Sequence, residues 1–91
     1  AAPADDGPIT ASFDCTKAST KIEKMICSDR ELAAADKDLS DIYRRAMSIA
    51  ADKAALRKQQ IEWMKTRRNV CTTKECLLEQ MESRVEELHN P

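Results

Sequence analysis

Gln60-Ile61-Glu62-Trp63-Met64-Lys65-Thr66-Arg67-Arg68-Asn69-Val70-Cys71-Thr72-Thr73-Lys74-Glu75-Cys76 decides how this 91-residue chain reads. It holds the single Trp, two of the four cysteines and the densest basic cluster. Leu56, Gln60, Trp63, Met64, Arg67 and Val70 recur in helical steps, so one face of a helix over about 53–70 should be turned inward. Thr72-Thr73-Lys74-Glu75 then reads as a capping box, in which the first Thr hydroxyl accepts from an amide of the next turn and the Glu reaches back. It launches a last helix over about 73–89, with the stripe Leu77, Leu78, Met81, Val85 and Leu88. Only two or three residues separate the two helices, which makes them an antiparallel hairpin.

Two further capping boxes lie upstream. Thr20-Lys21-Ile22-Glu23 opens a short helix over about 20–27, with Ile22, Met25 and Ile26 inward. Ser28-Asp29-Arg30-Glu31 follows directly, so the chain bends and restarts. The next helix spans about 29–50, with Leu32, Ala35, Leu39, Ile42, Ala46 and Ile49 in alternating steps of three and four and Tyr43 flanking them. Asp36, Lys37, Asp38 and Asp41 fall away from the centre of that stripe. Ala50 to Ala55 contains no Gly or Pro, so a continuous helix is the alternative there. A break with Asp52 as N-cap is preferred, because a helix of about 40 residues does not close a compact core on itself. The expected fold is therefore all-α: a small antiparallel bundle of one short and three longer helices, spanning residues 13–91 as one domain. Residues 1–12, with two of the three prolines and the only Gly, read as a flexible arm. Phe13 is the first residue expected to dock.

So small a domain buries a modest share of its surface and commonly needs covalent staples. Cys15, Cys27, Cys71 and Cys76 supply them, and an even cysteine count in a short chain points to an oxidising compartment. Three connectivities exist. Cys15–Cys27 with Cys71–Cys76 is favoured because both bridges are local and fit helix corners. The main rival ties Cys15 or Cys27 to the 71–76 corner. The spacings match no zinc motif, and His89 lies far from them in sequence, so no metal and no cofactor are expected. No stretch approaches the roughly 18 apolar residues of a membrane span. The start of the chain reads as what remains after a signal peptide is removed, or as a cloned leader. A lipid anchor upstream stays open.

A formal net charge of −1 argues against a dedicated nucleic-acid binder. The charges are segregated, however. Residues 53–74 carry seven cations, Lys53 to Lys74, against Glu62 alone, and residues 75–91 carry five glutamates against Arg84 alone. Neighbouring helices of opposite sign would choose each other as partners. Trp63 reads as core, with an exposed binding anchor as the alternative. Arg67 reads as structural, either stacked on Trp63 or paired with an acid of a neighbouring helix. His89 has no nucleophile beside it, no Gly-rich loop is present to cradle phosphate, and the carboxylates are spaced as solvated faces, so the chain is not read as an enzyme. The corner Arg68, Asn69, Thr72, Thr73 and Lys74 is the candidate partner-binding site, with Trp63, Arg67 and Tyr43 in support. A monomer is the expected state.

These residues form a pattern. Phe13-Asp14-Cys15, Lys17-Ala18, Glu23, Ile26-Cys27, Leu32, Asp36, Leu39 and Tyr43 lie in the first half. Gln60, Trp63, Arg67, Cys71, Cys76-Leu77, Arg84 and Leu88 lie in the second. The pattern resembles the lysozyme-inhibitor LprI-like N-terminal domain family of bacterial secreted proteins and lipoproteins, over about residues 13–88. Two departures are visible: the link between the halves is short, and Met81 stands where an aromatic residue is common. The resemblance implies an all-helical, disulfide-bonded domain exported to the periplasm or cell surface and lysozyme inhibition, with lysozyme as partner. The rigid basic corner adds the expectation that Arg68–Lys74 occludes the lysozyme cleft by pairing with its carboxylates. The alternative is a non-inhibitory envelope module that binds another protein. The resemblance transfers no catalytic or inhibitory residue.

Overall fold

In the computed structural model, residues 9–89 are described. A 3-10 turn at Cys15–Lys17 leads into α1 (Lys21–Cys27), α2 (Arg30–Ile49) and α3 (Lys53–Trp63). A π-helical segment, Met64–Arg68, continues α3, and α4 (Lys74–His89) closes the chain. The described residues contain no strand. The protein is an all-α bundle stapled by Cys15–Cys27 and Cys71–Cys76.

Side-chain oxygens start each helix. Thr20 and Glu23 form the expected reciprocal box at α1. At α2 the cap is Asp29, not Ser28: its Oδ1 accepts from the Glu31 and Leu32 amides, at 2.9 and 3.2 Å. Ser28 instead closes α1, donating its hydroxyl to the Met25 carbonyl. A carboxylate at Asp29 also suits the positive end of α2, which a serine hydroxyl does less well. Asp52 caps α3 through the Ala55 amide, and Lys53 Nζ donates to the Ala50 carbonyl at the end of α2. Two polar side chains therefore end one helix and begin the next without Gly or Pro. The short link between the halves is a true break. At α4, Thr73 accepts from the Cys76 amide, so the cap lies one residue past Thr72. Five residues, 69–73, separate the π segment from α4 rather than two or three.

The core gathers where α4 lies along α2, the most extensive helix contact. Leu32, Ala33 and Leu39 meet Leu77, Met81 and Leu88, with Ile22 and Ile26 from α1 and Trp63 from α3. Met81 is fully enclosed, so a flexible thioether fills this space. The sequence stripe fails at the helix ends: Ile49 is 79% and Val70 64% exposed, because α2 and the corner extend beyond the core. Asp36 is buried, against expectation. The reason lies upstream of Phe13. The Ser12 amide donates to Asp36 Oδ2 at 2.7 Å, Ala11 is buried and Ile9 packs on the core. An arriving backbone needs an acceptor, and Asp36 supplies it. Docking therefore starts before Phe13, while residues 1–8 of the expected arm lie outside the described residues.

Asp29→Ala should lower unfolding free energy by about 1 kcal/mol or more, as for loss of an N-cap, in urea melts. Ser28→Ala should stay within about 0.5 kcal/mol of wild type. Leu77→Ala, in the centre of the core, should cost about 2–5 kcal/mol.

Candidate functional site

The corner begins with a change of helical pitch. The Asn69 amide reaches back to the Met64 carbonyl at 2.8 Å, and the Thr66 hydroxyl bonds to the Glu62 carbonyl. A π turn carries one extra residue and re-aims the side chains that follow it. Here it turns Arg67 towards α4 and leaves Arg68 beside Asp36 and Trp63.

Arg67 is fastened at every guanidinium nitrogen. Nε donates to Gln80 at 2.9 Å, Nη1 to Glu87 at 2.8 Å and Nη2 to Ser83 at 3.0 Å. Those three partners share one face of α4 by their spacing. The other Glu87 oxygen accepts from Arg84 Nη1 at 3.1 Å, and Arg84 Nε donates to Gln60 of α3 at 2.8 Å. Arg84 is buried. Hydrogen bonds and charge from Arg67, then Arg84, hold the Glu87 carboxyl below its ordinary value. Of the two roles open to Arg67, pairing with an acid of a neighbouring helix is the one present. Trp63 is core, 4% exposed, and its indole Nε1 has no acceptor. Tyr43 is half-buried beside it, around a hollow shared with Asp36, Gln60 and Arg68.

The five corner residues divide into two groups. Lys74 Nζ bonds to Asp29 at 3.0 Å and Glu31 at 2.9 Å, and so ties the start of α4 to the start of α2. Glu31 and Asp29 hold the Lys74 ammonium above its ordinary range, and Lys74 draws the Asp29 carboxyl down. Arg68 is half-buried. Its Nε donates to Asn69 Oδ1 at 2.9 Å, and burial lowers its pKa against the opposing pull of Asp36 and Glu23. Both cations are thus turned back onto the fold. Thr73 is occupied as a cap. Asn69, Val70, Thr72 and Thr73 are exposed, and the Cys71–Cys76 bridge clamps the segment beneath them with its Cα atoms 5.6 Å apart. The tip is accordingly polar and apolar rather than basic. Val70 is exposed, although helical spacing assigns it to the inward face, and Arg84 is buried, which its charge does not suggest. The second had a signal: Arg84 continues the Leu77, Met81, Leu88 stripe in helical steps.

Among the described residues, no group of three or more His, Cys, Asp or Glu side chains is arranged to hold a metal ion. No helix among them is long and apolar enough to cross a membrane. The molecule is a small helical domain whose charged network braces a disulfide-clamped corner. The chain belongs to the lysozyme inhibitor LprI family, which matches residues 14–88. Over 52 residues it is 38% identical to Lipoprotein LprI of Mycobacterium tuberculosis and to Lipoprotein LprI of Mycobacterium bovis. That stretch covers 57% of this chain and 26% of each relative, so the chain spans about a quarter of the curated relatives it matches. No solved structure matches it.

Glu87 and Asp29 both sit below their ordinary values of 4.5 and 3.8. A carboxylate depressed in the folded state adds stability above its unfolded pKa and loses it as pH falls through the folded one. Urea midpoints should therefore be flat from about pH 7 to 5 and fall below about pH 4.5. Glu87→Gln should lower the plateau and make the acid-side fall shallower.

Proposed function

We propose that this chain is an exported lysozyme inhibitor of the bacterial envelope, and that it acts by setting the Cys71–Cys76 corner into the enzyme's cleft. Family membership supports the activity. The observation that carries the surface is the division of labour at the corner: Asn69, Val70 and Thr72 are exposed on a clamped, braced turn. A preorganised protrusion loses little entropy on docking. Lysozymes hydrolyse glycosides with two carboxyl groups in a cleft. The Thr72 hydroxyl and Asn69 amide can donate to such carboxylates, while Val70 covers the floor. Arg68 stands behind Asn69 and adds positive potential without reaching out. The glutamates of α4 are placed to steer a basic enzyme during approach. Export fits the two disulfides, and the lipoprotein names of the relatives favour an anchor upstream of residue 1.

The second reading is an envelope module that binds a different protein through the same tip. The exposed Val70 favours it, because an apolar anchor is not specific to a carboxylate cleft.

Lysis of peptidoglycan by several lysozyme types, with excess purified chain, tests the activity. Inhibition of at least one type is expected, and unchanged lysis by all of them removes the inhibitor reading. Val70→Asp should weaken inhibition by about tenfold or more, equivalent to about 1.4 kcal/mol, at an unchanged melting temperature. Full inhibition by Val70→Asp and Thr72→Ala would place the contact elsewhere.

A further inference from the structure

Behind the corner, at the opposite end of α3, the bundle is open. Backbone contact between α2 and α3 is sparse, and the helices part around a cleft of about 740 Å³. Such a volume lies within the roughly 300–1,000 Å³ of small-molecule sites. Its apolar lining comes from Ala46, Ala50, Ala55, Leu56 and Leu88, with the exposed Ile49 at the lip. The alanine side chains are too short to close the gap.

The polar part of the wall is unbalanced. Arg84 lines the cleft, and its side chain is only 9% exposed. Its Nε and Nη1 are occupied by Gln60 and Glu87, but Nη2 has no acceptor. Glu87, also on the wall, already serves both Arg84 and Arg67. Glu87 is thus shared between two guanidinium groups, and Arg84 Nη2 remains a buried charged donor without an acceptor. A buried charged donor without a partner is costly. Asp52 on the rim has its own work, capping α3 through the Ala55 amide.

We propose that this cleft binds a carboxylate on an alkyl chain, a long-chain fatty acid. The carboxylate would complete the Arg84 guanidinium at Nη2, and the alkyl chain would lie over the alanine floor towards Ile49. Three features select this class. One unmet guanidinium donor calls for a single acceptor group, which a carboxylate supplies, and the carboxylates of Glu87 and Asp52 disfavour a more highly charged headgroup. The lining is helical or helix elbow, so it offers no sheet edge to pair an extended peptide. Apart from Gln59 and Asp52, the wall away from Arg84 and Glu87 is aliphatic, which suits an alkyl chain better than a polar ligand. The inference does not depend on lysozyme inhibition.

Fluorescence titration of the intact chain with dansyl-undecanoate, kept below its micelle threshold, tests it. Saturable enhancement at one probe per chain is expected. Myristate should displace the probe, and methyl myristate, which lacks the anion, should need about tenfold more or worse. Ala50→Trp, which fills the floor and leaves Arg84 in the sequence, should weaken binding by about tenfold or more while keeping the helical circular dichroism. Arg84→Met, where it folds, should remove the preference for acid over ester. Equal competition by acid and ester, unchanged affinity in Ala50→Trp, or no saturable binding would each overturn the proposal. So would sedimentation showing that the cleft is closed by a second copy.

Discussion

Glu87 is held by two arginines, and the arrangement of the second half of the chain depends on it. Arg67 comes from the π segment, Arg84 from α4 itself, and Gln60 extends the chain of bonds to α3. Helix α3 has few close backbone neighbours beyond the π segment that continues it, so these side chains do much of the work of placing it. A mainly apolar contact would tolerate sliding. A guanidinium bound to Gln80, Glu87 and Ser83 fixes register and rotation together. The corner that follows is therefore positioned from behind by Arg67, crosslinked by Cys71–Cys76 and fastened to the start of α2 by Lys74. Three different kinds of constraint converge on a short turn whose outermost side chains, Asn69, Val70 and Thr72, lie open to solvent.

The same economy explains the cleft. Fastening α3 by polar side chains near Gln60, rather than by a continuous apolar seam, leaves its N-terminal turns without close packing. Ala50, Ala51 and Ala55 could not fill the space, and Arg84 is left with one donor too many. The network that holds the corner therefore also shapes the cleft at the other end of α3.

Much of the architecture was legible in the sequence, and for identifiable reasons. Helix periodicity and the Thr20–Glu23 box located α1, and Asp52 correctly marked a break that no Gly or Pro announced. What failed were decisions between adjacent candidates. Ser28 against Asp29, and Thr72 against Thr73, are one-residue choices that depend on which oxygen the turning chain brings to the free amides. Asp36 looked solvated because its partner, the Ser12 amide, lies 24 positions away. The π turn has no signature in the sequence, so regular helical spacing puts Val70 inward, whereas it is exposed. At the corner, composition alone made Arg68 and Lys74 the natural contacts. Only tertiary structure shows that Asp29 and Glu31 occupy Lys74, which narrows the candidate contact within Arg68, Asn69, Thr72, Thr73 and Lys74 to the exposed Asn69 and Thr72 and adds Val70.

The clamped corner is the surface proposed to meet the target. Amide chemical-shift mapping of the labelled chain, titrated with a lysozyme that it inhibits, addresses this most directly. The largest perturbations are expected at Asn69, Val70, Thr72 and Thr73, with small changes along the outer faces of α2 and α4. Perturbations confined to those helical faces, with the corner amides unmoved, would contradict it.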